Sequence, residues 1–228
     1  MSWQHAAVVG ASGGIGAALC DELELRGCRV ARFSRQGDQP VDLEDEASII
    51  TAADSMRDDP PDLVIVASGI LHVDGAGPEK SWRDLSASQL ATYFAVNATG
   101  PALVAKHFLP LLPREGRSAF AVIGARVGSI ADNRLGGWYG YRASKAALAM
   151  LVKTLGIELA RSRKDSLCVA LHPGTVDTVL SKPFQANVPA DSLFTPGQSA
   201  RSMLDVLDGL GPGDSGGHFA WDGQRIAP

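Results

Sequence analysis

Ala6-Ala7-Val8-Val9-Gly10-Ala11-Ser12-Gly13-Gly14-Ile15-Gly16 decides the fold. Four apolar residues ending at a glycine predict a buried parallel strand. The spacing of Leu19, Leu23 and Leu25 beyond them predicts a helix. Between strand and helix, glycines at 10, 14 and 16 let the backbone turn tightly and approach a pyrophosphate, which the helix N-terminus meets with free N–H groups and its positive dipole end. A tight turn without a ligand is the plain alternative, but the strand-before and helix-after context favours a dinucleotide site. Ser12, Gly13 and Ile15 lie in the same loop and join the three glycines as candidate cofactor contacts.

Outward from this loop, strand and helix patterns alternate. Arg29–Phe33 reads as a second strand and ends in Ser34-Arg35. An acid there would accept hydrogen bonds from a ribose 2′-hydroxyl, whereas an arginine accommodates a 2′-phosphate, so NADP is favoured over NAD. The other reading makes Arg35 a solvated loop charge with Asp38 nearby. Residues 39–43 read as a short third strand, with Asp42 at its tip either binding an adenine amino group or capping a helix that begins near Glu44. Residues 62–69 form the clearest buried strand and end in Ala67, Ser68 and Gly69, small enough for a cofactor ribose to pass. Residues 86–110 carry a long helix pattern interrupted at Asn97-Ala98-Thr99-Gly100-Pro101. Asn97 and Gly100 are poor helix-interior residues, which predicts a kink with Asn97 turned inward.

Further strands are expected over 118–123, 167–172 and 218–221, with helices over about 141–161 and 200–207. The irregular stretch from Val176 to Pro196, anchored by Phe184, Val188 and Phe194, is long enough to be a lid or substrate wall. The expected fold class is therefore α/β, a doubly wound parallel sheet in a single domain covering 1–228.

Composition narrows the function. A net charge of -4 with no basic block argues against a nucleic-acid partner. Cys20, Cys28 and Cys168 are odd in number and show no metal-ligand spacing, so they are expected to be buried, reduced thiols. The five histidines are scattered and suggest no metal cluster. The longest uncharged apolar run, Leu63 to Leu71, is too short to span a bilayer, and no leader precedes the first strand, so a cytoplasmic chain is expected.

Trp138-Tyr139-Gly140-Tyr141-Arg142-Ala143-Ser144-Lys145 opens the expected 141–161 helix and carries the chemistry. Tyr141 and Lys145 are four apart and share a helix face. An ammonium beside a phenol favours the phenolate and lowers its pKa from near 10, and a phenol so tuned can exchange a proton with a carbonyl or alcohol oxygen. A surface Tyr–Lys pair on an amphipathic helix is the alternative.

Gly10-xxx-Gly14-x-Gly16, Asn97 and Tyr141-xxx-Lys145, in that order on a Rossmann-type pattern, resemble the short-chain dehydrogenase/reductase family across essentially the whole chain. Gly128-Ser129-Ile130, Tyr141–Lys145 and His172-Pro173-Gly174-Thr175-Val176 look most like its C-factor-like carbonyl-reductase branch. The resemblance implies that Tyr141 is the proton donor or acceptor. It implies that Lys145 binds the nicotinamide ribose and tunes Tyr141, and that Asn97 holds a water in a proton relay. It sets Pro173-Gly174 beside the nicotinamide, with Thr175, Val176 and Thr178 as neighbouring contacts. It also implies a small carbonyl or alcohol substrate and, in many relatives, pairing of the 86–110 and 141–161 helices into homodimers or homotetramers.

Two positions depart from the family. Its Asn-Ala-Gly is Ala67-Ser68-Gly69 here, a mild change. The related branch reads Ser-Ser-Arg-x-Gly-Ser-Ile where this chain has Gly124-Ala125-Arg126-Val127-Gly128-Ser129-Ile130, so the catalytic serine has become Ala125. Ser129 either supplies the missing hydroxyl or is a turn residue. Loss of one such donor typically costs about a hundred- to thousandfold in rate. Two functions follow: an NADP-dependent oxidoreductase with a pocket involving Arg126, Ser129, Trp138 and the 180–195 loop, or a nucleotide-binding regulatory protein whose chemistry has weakened with the serine.

Overall fold

The computed structural model describes residues 3–37, 39–73, 75–187, 189 and 192–228. Six parallel strands form one sheet in the order β2-β1-β3-β4-β5-β8. They are β1 (His5–Val9), β2 (Arg29–Phe33), β3 (Leu63–Val66), β4 (Ser118–Ile123), β5 (Ser166–His172) and β8 (His218–Ala220). A separate parallel pair joins β6 (Thr175–Val176) to β7 (Leu193–Phe194).

Side chains alternate between the faces of each strand, and each face is buried under helices. Ala6, Val8, Leu63, Ile65, Ala119, Ala121, Leu167, Val169 and Leu171 pack with α1 (Gly14–Leu25) and α6 (Pro196–Gly209). Ala7, Val9, Val64, Val66, Phe120, Val122, Cys168 and Ala170 pack with α2 (Glu46–Asp54), α4 (Gly100–Phe108) and α5 (Tyr139–Leu159). Helices on both faces of a parallel sheet are the doubly wound arrangement expected above. From β1 the chain crosses outward to β2 and then returns to the other side of β1 as β3. The order of strands reverses there, so the crevice past the C-terminal ends of β1 and β3 is where a ligand is expected in such a sheet. Gly10 follows β1 and Ala67-Ser68-Gly69 follows β3.

Several expectations need correction. Residues 39–43 are not a strand. Only an isolated bridge between Ser34 and Pro40 survives, Pro40 has no N–H to give a ladder, and the Asp42 N–H donates to Ser48 Oγ instead. The strand expected over 62–69 stops at Val66, leaving its small residues as loop. The 86–110 helix is α3 (Ala87–Phe94), a π-helical turn over Ala95–Thr99, α4, and a 3-10 turn over Leu109–Leu111. The stretch after Val176 contains the β6/β7 pair and a 3-10 helix over Lys182–Asn187. Asp38, Val188 and the Phe184 side chain lie outside the described residues. The three cysteines are free and buried, as expected. Among the described residues no helix is long and apolar enough to cross a membrane, and no group of His, Cys, Asp and Glu could hold a metal ion.

Phe108 is fully buried and meets the edge of Phe33 at 6.0 Å between ring centroids, linking α4 to the end of β2. Phe108→Ala is expected to lower unfolding free energy by about 3–5 kcal/mol in urea titrations. A loss below about 1 kcal/mol would show that this contact does not hold α4 to the sheet.

Candidate active site

The first half of the site is the loop after β1. Gly10 adopts φ +94°, and a Cβ there would stand 2.5 Å from Ser68 Oγ. A Cβ on Gly16 would stand 2.0 Å from the Gly10 carbonyl oxygen. Only glycine allows these approaches, and they draw the loop against Ala67-Ser68. The N-cap of α1 is Gly13, without a side-chain cap, so the first-turn N–H groups face the crevice with no side chain of their own to satisfy them. Thr178 leans over this turn, its Cγ2 2.9 Å from where a Gly14 Cβ would be. Pro173 accepts a hydrogen bond from Ser199 Oγ (2.7 Å), and Gly174, at φ +77°, lies against Phe194 and Trp221. Thr175 and Val176 form β6.

Beside the loop, a cavity of about 480 Å³ is lined by Ala11, Ser12, Arg32, Ser34 and Gln36, among others. Arg32 is held by Asp21 (2.8 Å) and Glu24 (2.9 Å) of α1, which neutralises its charge. Arg35 is exposed, and no described carboxylate pairs with it. The Asp42 carboxylate accepts from the Glu44 N–H at 3.0 Å, while the cap of α2 is Asp45, which accepts from Ala47 N–H. Asp42 is thus a turn residue rather than the helix cap. A dinucleotide fits this donor set: a glycine cradle that a Cβ would fill, an uncapped helix start and an open cleft at the end of β2.

The second half lies where α5 passes the ends of β3 and β4. Asn97 is fully buried, turned inward by the π turn. Its Oδ1 accepts from Ile70 N–H (2.9 Å) while its Nδ2 donates to the Ile70 carbonyl (3.0 Å) and to Ser144 Oγ (3.3 Å). Gly69 sits between two functional groups, since a Cβ there would be 3.2 Å from Asn97 Oδ1 and 3.5 Å from Lys145 Nζ. Lys145 Nζ donates to the Ile123 carbonyl at 2.9 Å. Gly128 allows the turn after Ala125 to press on the backbone of Lys145.

The electrostatics differ from the expectation of a lowered phenol. Burial pushes the Tyr141 phenol up to about 12, with neighbouring Tyr93 adding to the effect. Burial also lowers Lys145 from 10.5 to about 8. The ammonium is bonded to Ile123 and lies 6.0 Å from the Tyr141 ring centroid, so desolvation outweighs it. His172, at the end of β5, and His218, at the start of β8, are both pushed down to about 4, chiefly by burial.

Ala125 is buried at the end of β4. The Ser129 hydroxyl is buried, accepts from Asp132 N–H at 3.1 Å and donates to the Pro228 carbonyl at 3.5 Å. Arg126 pairs with Asp132 at 3.3 Å. Trp138 and Tyr93 each meet the Tyr141 ring edge-on, at centroid distances of 6.2 and 6.3 Å. Sequence reading missed Tyr93, Ser144, His218, Arg32 and Glu79. Glu79 is 3% exposed and accepts from Gly140 N–H at 3.1 Å. A charged residue in a polar loop carries no periodic signal of burial.

Comparison with known proteins agrees with this geometry. The sequence model described as short chain dehydrogenase matches residues 4–189, and the chain belongs to that family. It is 36% identical to C-signal of Myxococcus xanthus over 157 residues, 68% of this chain and 89% of that protein. It is 31% identical over 233 residues to 1-hydroxy-2-glutathionyl-2-methyl-3-butene dehydrogenase of Rhodococcus sp. (strain AD45), covering 96% and 97% of the two chains. NADPH-bound carbonyl reductase from chicken fatty liver superposes with a TM-score of 0.87 at 26% identity, over 100% of both chains. The C-factor-like resemblance and the oxidoreductase fold both stand.

The buried lysine makes a prediction that needs no substrate. Its folded pKa, about 8, lies below its unfolded value of 10.5, so the unfolded state binds the proton more tightly. The charged lysine therefore destabilises the cofactor-free protein fully below pH 8, less as pH rises to 10.5, and not at all above. Lys145→Met is expected to raise stability at pH 7 by roughly 1–3 kcal/mol, after loss of the bond to Ile123 is counted, with the gain shrinking towards pH 10. Denaturant unfolding from pH 7 to 10 measures it, and a pH-independent difference would show that Lys145 is not desolvated.

Proposed function

We propose that this chain is an NADP(H)-dependent oxidoreductase acting on a carbonyl/alcohol pair. The observation that carries the reading is the convergence of Tyr141, Lys145, Asn97 and Gly69 at the same edge of the sheet as the Gly10–Gly16 cradle. When bound there, the nicotinamide would supply or accept the hydride. The chain's own residues bind, orient and move the proton. Gly10, Ser12, Gly13, Gly14, Ile15 and Gly16, with Thr178, hold the phosphates. Ser34 and Arg35 take the 2′-phosphate, and Asp42 keeps the adenine-side loop. Ala67, Ser68 and Gly69, with Pro173, Gly174, Thr175 and Val176, bound the ribose and carboxamide positions. Held as a neutral phenol by its burial, Tyr141 is in the state that gives a proton to a carbonyl oxygen. Lys145 keeps a positive charge close by, and Asn97 fixes the wall on which Lys145 rests. Ser129 is the candidate second donor to the substrate oxygen, which requires its long bond to Pro228 to open.

Ala125 favours a second reading, a nucleotide-binding regulatory protein. The experiment that separates the two is NADPH oxidation over a panel of aldehydes, ketones and quinones. The enzyme reading expects turnover, loss of at least about a hundredfold in Tyr141→Phe, and a drop of about tenfold or more in Ser129→Ala. NADPH binding without turnover on any member of the panel would favour the regulatory reading. Unchanged turnover in Tyr141→Phe would remove Tyr141 from the chemistry.

Cofactor choice is tested separately. Arg35→Asp is expected to reverse the ratio of NADPH to NADH affinity, because an acid there repels the 2′-phosphate and accepts from the ribose hydroxyl. An unchanged ratio would sink the assignment of Arg35.

A further inference from the structure

We infer that Glu79, in the loop before α3, is the positioning residue that aims Tyr141; the inference rests on the oxidoreductase reading above. The start of α5 is an unusual piece of backbone. Gly136, Gly137 and Trp138 follow one another at φ +64°, +63° and +53°, and Trp138 is the one non-glycine with positive φ among the described residues. A bulky residue in that region is strained and persists only where neighbours hold it. Trp138 is the N-cap of α5, yet its side chain caps nothing. Glu79 supplies both restraints. Its main-chain carbonyl accepts from the Trp138 N–H, and its carboxylate Oε2 accepts from the Gly140 N–H at 3.1 Å. One residue therefore grips the helix on either side of Tyr139, immediately before Tyr141.

The packing around Glu79 leaves little slack. A Cβ on Gly140 would stand 2.4 Å from the Tyr93 ring and 2.9 Å from Glu79 Oε1. Tyr93 is itself fixed, its hydroxyl donating to the Leu71 carbonyl at 2.8 Å. Its ring meets Tyr141 edge-on. Glu79 Oε1 is buried without a hydrogen-bond partner among the described residues. A half-satisfied buried carboxylate is an unfavourable way to cap a helix, and Ser, Thr, Asp or Asn at position 138 would do that alone. What the trans cap adds is a fixed relation between the loop holding Glu79, the Tyr93 ring and the first turn of α5. Trp138 is thereby free to place its indole against Tyr141.

The test compares Glu79→Ala with Glu79→Gln, whose amide oxygen can still accept from Gly140 N–H. With wild-type turnover established, Glu79→Ala is expected to lose about 10- to 100-fold in kcat, the scale of a misplaced catalytic group, while the NADPH Kd stays within about twofold. Glu79→Gln should return kcat to within about threefold of wild type. Phe108→Ala serves as a destabilised control with normal kcat in the folded fraction. A wild-type kcat in Glu79→Ala, or a loss matched by NADPH affinity, overturns the inference.

A second readout needs no turnover. The chain has three tyrosines, so ring-carbon NMR of labelled protein resolves Tyr141, identified by Tyr141→Phe. Its resonance should move in Glu79→Ala and return in Glu79→Gln. If the resonance behaves so while wild type reduces nothing, the oxidoreductase reading fails and the positioning of Tyr141 stands. If it does not move, the inference fails.

Discussion

One side chain occupies both polar groups of one backbone residue: the Asn97 amide accepts from the Ile70 N–H and donates to the Ile70 carbonyl. Ile70 lies past the end of β3, beyond the last ladder partner, where its half-buried peptide groups have no strand to pair with. The π turn over Ala95–Thr99 rotates Asn97 inward to meet them. The same amide donates to Ser144, whose hydroxyl donates to the Tyr141 carbonyl at 2.9 Å. A single residue thus ties the end of a strand, a distorted helix and the first turns of α5. The irregular helix is the geometric condition for that tie, since an unbroken α-helix would turn residue 97 elsewhere.

What could be read from the chain depended on whether a local pattern carried it. The buried strands were legible as apolar runs, and β2 and β4 fall where the pattern predicts. The glycine loop was legible because only glycine tolerates the approaches at Gly10 and Gly16. Residues 39–43 misled for the same reason: Val41 and Leu43 are buried, but they pack as loop residues into the cluster under α2 and α4. Burial alone does not make a ladder when Pro40 lacks an N–H and Asp42 gives its own to Ser48. The spacing of Tyr141 and Lys145 predicted their shared face correctly. It could not say where each head group points, and the lysine points at Ile123, so burial sets the phenol's pKa. Glu79 was invisible for a related reason, since its partner Gly140 is 61 residues away.

Gly124-Ala125, where the resemblance leads one to expect serines, belongs in the same physical frame. The two positions are not equivalent. A Cβ at 124 would stand 2.6 Å from His218 Nε2 and 3.3 Å from the Ala170 Cβ, so a side chain there requires the imidazole to move. His218 is half-buried, and its buried Nε2 has no hydrogen-bond partner among the described residues. It is held neutral by that burial, with Lys145 and Arg126 among the charges that disfavour its protonation. Glycine at 124 is therefore matched to a histidine arriving from β8, the last strand of the sheet.

That match constrains position 124 and not Ala125, where the resemblance sets the serine. The His218 imidazole stands where a side chain on residue 124 would reach, and the charge of Lys145 acts on it. The Ser129 hydroxyl, meanwhile, is engaged by Asp132 and Pro228. The end of β4 thus meets a neutral ring from the start of β8, two strands further along the sheet, next to a residue without a hydroxyl at 125. Any account of the chemistry at this edge has to begin from that contact.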